Sequence, residues 1–153
     1  MGFLELRVPP LVLLTLFSMA VCGAGWWLPS ANLPFAGSGA LALAVIAAGV
    51  GVALAGVVEF RRTRTTVNPI APGKATALVE GGVYRWTRNP MYLGMALVLL
   101  GFALWWASVP GLALVGGFCA YLTRFQILPE ERVLRGLFGE PYAGYVARVR
   151  RWI

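Results

Sequence analysis

From Val8 to Val58 the chain carries no charged side chain, and from Asn89 to Thr123 it again carries none. Each run reaches or exceeds the ~20 apolar residues that span the hydrocarbon of a bilayer. Charged residues make up 12% of the chain and hydrophobic ones 59%. A soluble domain holds about 25% charged residues, so a water-exposed globular fold is excluded. The expectation is an all-α polytopic membrane protein of one domain.

The first run is too long for one span. A first helix is expected at about 8–28, with Pro9 and Pro10 in its opening turn, where missing amide donors cost little. Trp26 and Trp27 near its end suit the headgroup level. The uncharged connection Pro29–Ser38 leads to a second helix at about 39–60. In that helix Gly49, Gly51, Ala55 and Gly56 are spaced for close helix–helix approach. The second run is interrupted by Trp105-Trp-Ala-Ser-Val-Pro-Gly111 and predicts a tight hairpin, with helix three at about 90–106 and helix four at about 110–125. The segment 128–153 is charged and amphipathic. Val133, Leu134, Leu137 and Phe138 recur at helical spacing, Gly139-Glu-Pro141 breaks the run, and Tyr142, Tyr145 and Val149 continue on one face. Two short helices lying on the membrane are expected here.

Charge sets the orientation. The formal net charge is +7. The segment from Glu59 to Arg88 holds six basic and two acidic residues, and the segment from Arg124 onward holds six arginines and three glutamates. The two remaining connections hold none. The positive-inside rule then places the 63–89 loop and both termini in the cytoplasm. Met19-Ala20-Val21-Cys22 faintly resembles a lipoprotein cleavage site, but Glu5 spoils the basic leader, so the first helix is expected to remain as a membrane span. The arginines flank spans and no nucleic-acid-binding fold is signalled. There is no histidine, which removes the commonest metal ligand and general base; no metal is expected. Cys22 and Cys119 lie inside apolar runs as small packing residues.

Two polar segments thus meet on one side of the membrane. Gly81, Gly82 and Gly94 permit close backbone approach. Asn89 precedes Pro90 and is therefore extended, and the helix start at Pro90 favours an anionic group. Glu130 and Glu131 are adjacent carboxylates suited to a cationic amine. Tyr84, Trp86, Tyr92, Tyr142 and Tyr145 offer flat surfaces for a ring. The set suits a zwitterionic, adenine-bearing ligand. Each residue also has a plainer reading, as a surface ion pair or an interface anchor.

Gly81-Gly-Val-Tyr-Arg-Trp-Thr-Arg-Asn-Pro-Met-Tyr-Leu-Gly94, followed by Pro129-Glu-Glu-Arg-Val-Leu-Arg-Gly-Leu-Phe-Gly-Glu-Pro-Tyr-Ala-Gly-Tyr145, resembles the isoprenylcysteine carboxyl methyltransferase family. It is similar also to the related phospholipid N-methyltransferases. The family pattern is a G-x-Y-x-x-x-R-H-P-x-Y-x-G loop and an E-E-x-x-L-x-x-x-F-G-x-x-Y-x-x-Y tail, matched here from about Asn68 onward. The resemblance implies S-adenosylmethionine bound on the cytoplasmic side between loop and tail. Gly82, Tyr84, Arg88, Asn89, Pro90, Tyr92 and Gly94 fall in the cofactor loop, Glu130 and Glu131 where the methionine amine is held, and Tyr142 and Tyr145 in the closing tail. The family's histidine is Asn89 here, which can donate and accept a hydrogen bond but cannot titrate. With the tail stopping at Arg150-Arg-Trp-Ile153, contacts that longer relatives make further on are expected to be absent.

A sulfonium donor already activates its methyl group, so alignment and exclusion of water are the main demands. Arg124 could steer an anionic acceptor, and Glu130, Glu131 or a tyrosine could take a proton from an amine; Arg124 and Glu131 are the candidate catalytic residues. The expected partner is a lipid or lipidated acceptor entering from the bilayer. Two alternatives stand beside methyl transfer. One is a sterol-reductase-like enzyme using NADPH, against which the small basic surface of Arg148, Arg150 and Arg151 argues. The other is a non-catalytic membrane scaffold.

Overall fold

Helix α1 (Pro10–Trp27) starts on two prolines, Pro9 at the cap and Pro10 in the first turn. Their missing amide protons would have had no intrahelical partner in any case. The structure is a computed structural model and describes residues 5–63, 73 and 76–153. Arg64, Asn68 and Lys74, which belong to the expected basic loop, lie outside these residues. Helix α2 (Ser38–Arg62) ends on the basic pair Arg61 and Arg62, placed favourably at the negative end of the helix dipole. Helix α3 (Pro90–Trp105) again opens on proline. Helix α4 (Val109–Leu122) is capped by Ser108, whose Oγ accepts from the Gly111 amide at 3.2 Å.

The sequence reading breaks the chain between 125 and 128. The structure does not: α4 passes through a π-helical turn, Thr123–Ile127, straight into α5 (Leu128–Arg148). Pro129 sits in the first turn of α5, and the wider π turn lets the helix carry on across the proline. The expected interruption at Gly139 is present, with φ 53° and ψ −127°, a conformation open to glycine alone.

Among the described residues three helical stretches are long and apolar enough to cross a membrane: Pro10–Trp27, Ser38–Arg62 and the continuous run Val109–Arg148. Helix α3 is apolar but shorter, at 16 residues. Within the third stretch only the part before Arg124 is free of charge; α5 carries three glutamates and three arginines. The chain is an integral membrane protein, with three to four candidate spans among the described residues.

Helices α2 and α3 pack closely through small residues. A Cβ on Gly49 would lie 2.7 Å from the Gly94 carbonyl oxygen, and one on Gly56 would lie 2.9 Å from Met91 Cγ. Gly51 meets nothing within 4 Å, so only part of the expected small-residue stripe is used. Helix α1 packs on α4 through Leu13, Val21, Phe118 and Leu122, with Phe17 and Phe118 edge to face at 5.4 Å. At the far end the 28–37 and 106–108 connections are tied by the Leu33 amide donating to the Ala107 carbonyl, at 2.8 Å.

The apolar face of the tail, expected to rest on the membrane, packs instead on the loop. Tyr142, Tyr145 and Val149 form a cluster with Val79 and Tyr84, joined by Leu134 and Phe138 from the first half of α5. This second core holds loop and tail together, and the candidate site residues lie along their contact.

Candidate functional site

The loop reaches the site through a tight turn. Gly82 has φ +54° and opens a single 3-10 turn, Gly82–Arg85. Beneath it lies the end of α2: a Cβ on Gly82 would fall 2.6 Å from Glu59 Cδ. Glu59 is itself held by Arg62 at 3.0 Å. Two separate demands thus select glycine here, a left-handed φ and the absence of a side chain. Gly82→Ala is expected to destabilise the protein by about 1–2 kcal/mol through the backbone alone. Adding Glu59→Ala should relieve the contact but leave that backbone cost, and chemical denaturation of the single and double variants checks it.

Past the turn, Tyr84 is buried with its ring edge to face on Phe60 at 5.5 Å. Its carbonyl accepts from the Tyr145 hydroxyl at 2.8 Å. Burial raises the Tyr84 hydroxyl far above the ordinary tyrosine value, and it raises that of Tyr145 as well. Both are neutral hydrogen-bonding groups. Trp86 is exposed and forms no part of this contact.

The next three residues are bonded to the chain's last ones. The Arg88 amide donates to the Arg150 carbonyl at 3.0 Å. Thr87 Oγ1 and Asn89 Nδ2 donate to the Arg151 carbonyl at 3.3 and 3.0 Å. The amide nitrogen of Asn89 is therefore engaged with the tail backbone. Pro90 then opens α3 and buries its ring. One turn on, the Tyr92 hydroxyl donates to Glu130 Oε1 at 2.5 Å. Gly94 faces away from the loop, toward α2, where its missing side chain makes room for Ala53 and the Gly49 carbonyl.

Glu130 and Glu131 are neighbours in the first turn of α5 but have different surroundings. The Glu130 carboxyl is pushed up to about 8, chiefly by burial and further by the charge of Glu131, with the Tyr92 hydrogen bond opposing. Glu131 sits between two guanidinium groups. Arg151 donates from Nε and Nη2 to its two oxygens at 2.9 and 2.8 Å, and Arg88 Nη2 lies 3.3 Å from Oε1. Tyr142 stands over this pair, almost fully buried. Its hydroxyl is raised to about 12 by burial and by Glu131, with the charge of Arg88 and a hydrogen bond between the two side chains opposing.

Arg88 is the residue with capacity to spare. Its side chain is only 10% exposed. Its Nε and Nη1 atoms are buried and have no hydrogen-bond partner among the described residues. An unpaired buried donor costs about 1–3 kcal/mol, and an incoming anionic group would recover that cost. Next to this region, sharing Tyr145 as a wall, is an open cleft of about 550 Å³ lined by Glu80, Gly81, Arg85, Arg148 and Val149. Its volume falls in the usual range for small-ligand sites.

Arg124 is engaged elsewhere. Its Nη1 donates to Glu5 Oε1 at 2.9 Å, and Arg132 Nη2 donates to the other oxygen of Glu5 at 2.6 Å. The Arg124 guanidinium also lies 5.3 Å from the Phe125 ring centroid. The structure therefore gathers Tyr84, Arg88, Asn89, Tyr92, Glu130, Glu131, Tyr142 and Tyr145, turns Gly94 to α2 and pairs Arg124 with the amino-terminal segment. Sequence reasoning missed Glu5, Glu59, Thr87 and Arg151 as partners. Glu59 had one signal, as the acid that ends the first uncharged run. Arg151 had none, since its role depends on where the tail returns.

Comparison with known proteins gives the chain a family. A protein of Haemophilus influenzae (strain ATCC 51907 / DSM 11121 / KW20 / Rd) described as an uncharacterized protein is 40% identical over 65 residues, which is the whole of that protein and 41% of this chain. No solved structure matches. The sequence profile of the phospholipid methyltransferase family, PEMT, matches residues 38–141, from the start of α2 through the loop, the α3–α4 hairpin and both adjacent glutamates. On a match covering more than half of its length, this chain belongs to the phospholipid methyltransferase family.

Proposed function

We propose that the protein transfers a methyl group from S-adenosylmethionine to a lipophilic acceptor, isoprenylcysteine-carboxylate-like or phospholipid-amine-like, at the cytoplasmic face of the membrane. The observation that carries this reading is the buried Arg88, with two donors unpaired among the described residues and 3.3 Å from Glu131, the sequence neighbour of the half-buried Glu130. A zwitterionic amino-acid moiety presents the complementary pair of charges. Arg88 would take the carboxylate, and Glu130, oriented by Tyr92, would take the ammonium. The cleft beside Tyr145 has the size and an aromatic wall for the nucleoside part.

When bound, S-adenosylmethionine supplies a methyl carbon already activated by its sulfonium. The chain then has to bind, align and keep the site dry. Tyr84, Tyr142 and Tyr145 form the buried wall that excludes water. For an amine acceptor, Glu130 is the available proton acceptor, since Glu131 is held by two arginines. Arg124 remains a candidate for steering an anionic acceptor only if its contact with Glu5 opens. In this reading α1–α4 all cross the membrane, α3 as a short span, and the loop, the tail and both ends lie in the cytoplasm, as the basic residues at 59–88 and beyond 124 suggest. Incubation with radiolabelled methyl donor and total membrane lipid should yield a labelled lipid product. No labelled product together with no heat of S-adenosylmethionine binding would reject the proposal.

Affinity for the cofactor should depend on pH in a definite direction. Glu130 titrates near 8 in the free protein and must be ionised to hold an ammonium. Affinity should therefore rise about tenfold per unit as pH approaches 8, then fall as an α-amino group of pKa about 7.7–8.0 deprotonates. The same shift acts on stability with the opposite sense. The folded protein retains a proton that the unfolded chain releases above 4.5, so the free protein loses stability as pH rises from about 4.5 through 8. Calorimetric titrations between pH 6 and 9 test the first point; a flat profile would remove Glu130 from the ammonium site.

A further inference from the structure

Beyond α5 the chain turns extended, with Val149 at φ −122° and ψ 132°, and runs back across the loop. Backbone carbonyls of Arg150 and Arg151 receive the three donors of residues 87–89 already described. The Trp152 indole donates to Thr123 Oγ1 at 3.2 Å and packs against the core that α1, α3 and α4 share. This segment is thus fixed at both ends, and the Arg151 side chain is delivered to Glu131 from a rigid position.

The geometry points to Arg151 as a positioning residue that keeps Arg88 available to an anionic ligand. A carboxylate beside a single arginine frequently pairs with it bidentately. Glu131 does not do so with Arg88. Both of its oxygens are held by Nε and Nη2 of Arg151, at 2.9 and 2.8 Å, and Arg88 reaches Glu131 only through one longer contact of 3.3 Å. Two guanidinium groups share one carboxylate, so one positive charge remains over, and it lies on the side chain whose Nε and Nη1 are unpaired. Without Arg151, Glu131 is free to swing onto Arg88 and occupy its Nε, in the same two-point hold through Nε and Nη2 that Arg151 now makes. The inference rests on the cofactor reading above for what the anion is, but the state of Arg88 can be measured without any cofactor.

The test compares wild type, Arg151→Gln and Arg151→Gln/Glu131→Gln. The first measurement is water exchange of the Arg88 Nε proton by ¹⁵N NMR in detergent, with no ligand. Exchange should slow in Arg151→Gln, as Glu131 takes that proton, and return to the wild-type rate in the double variant. Equal rates in all three would overturn the inference, whatever the protein binds. The second is S-adenosylmethionine kinetics. Arg151→Gln should raise KM by about tenfold, the worth of one charge-assisted hydrogen bond, with kcat unchanged, and the double variant should recover most of that loss. A purely structural strap predicts the reverse, with the double variant no better than the single. If Arg151→Gln does not fold, Arg151→Lys keeps the charge, loses the two-point hold and is judged by the same two measurements. Failure of the wild type to bind the cofactor would sink the methyl-transfer reading and leave the exchange measurement to decide the role of Arg151.

Discussion

Arg88→Met is expected to lower cofactor affinity by on the order of 100-fold while leaving thermal stability unchanged or raised. The two halves of this result have one cause. Arg88 is 10% exposed and holds two buried donors without acceptors. Such groups weigh against the folded state by about 1–3 kcal/mol each when left unpaired. Methionine fills much of the same volume with apolar atoms and removes those donors. Glu131 does not become an orphan, because Arg151 still holds both of its oxygens. The carboxylate of a bound ligand, in contrast, loses its charged partner. Thermal unfolding and calorimetric titration on the same preparation check both halves. Wild-type affinity in Arg88→Met would remove Arg88 from the site, and a large drop in melting temperature would make it a structural residue instead. Glu130→Gln is the informative companion. It keeps the shape and can still accept from Tyr92, but it cannot balance an ammonium, so affinity should fall without loss of fold.

The features that were legible in the sequence are those that depend on local pattern. Two uncharged runs and the prolines at 9, 10, 90 and 110 located the helix starts within a residue or two, since proline at a first turn is a purely local preference. Gly82 and Gly139 were legible as turn points because each needs a φ that only glycine adopts freely. Adjacent glutamates and a cluster of tyrosines marked the candidate site, and the structure brings them together. The split between the two glutamates was not legible. One accepts from Tyr92, 38 positions away, and the other is held by Arg151, 20 positions away. No spacing rule connects such pairs. The continuity of α4 into α5 was missed for a different reason. The sequence pattern ends helix four at about 125 and begins the tail at 128, whereas the helix runs on across Pro129 because a π turn precedes it. The amphipathic tail was read correctly as one-sided, but its apolar side has two candidate partners, lipid and loop, and a sequence cannot choose between them. Tyr84 and Val79 supply the choice by presenting a buried apolar surface at the height of Tyr142 and Tyr145.

Gly49→Ala and Gly51→Ala should shift stability in opposite directions, although both replace the same residue in the same helix. Helix propensity favours alanine over glycine by up to about 1 kcal/mol at either position. At Gly51 nothing lies within 4 Å of the new Cβ, so that gain should appear undiminished. At Gly49 the new Cβ would lie 2.7 Å from the Gly94 carbonyl oxygen, 2.8 Å from Leu97 Cβ and 2.9 Å from Val98 N. Two of these are backbone atoms of α3 and cannot move unless the helix moves. Overpacking of this kind costs about 1–3 kcal/mol. In a membrane no hydrophobic force compensates, because lipid chains are as apolar as the helices and association rests on the close fit itself. The consequence should reach the site. Tyr92 lies two residues before Gly94 on α3 and is the hydrogen-bond donor to Glu130, so displacing α3 from α2 alters the placement of the carboxyl proposed to hold the ammonium. Gly49→Ala should therefore lose cofactor affinity as well as stability, whereas Gly51→Ala should change only stability, and upward. Denaturant unfolding in detergent and calorimetric titration of the two variants decide it; equal effects at both positions would mean that the α2–α3 contact is looser than these distances describe.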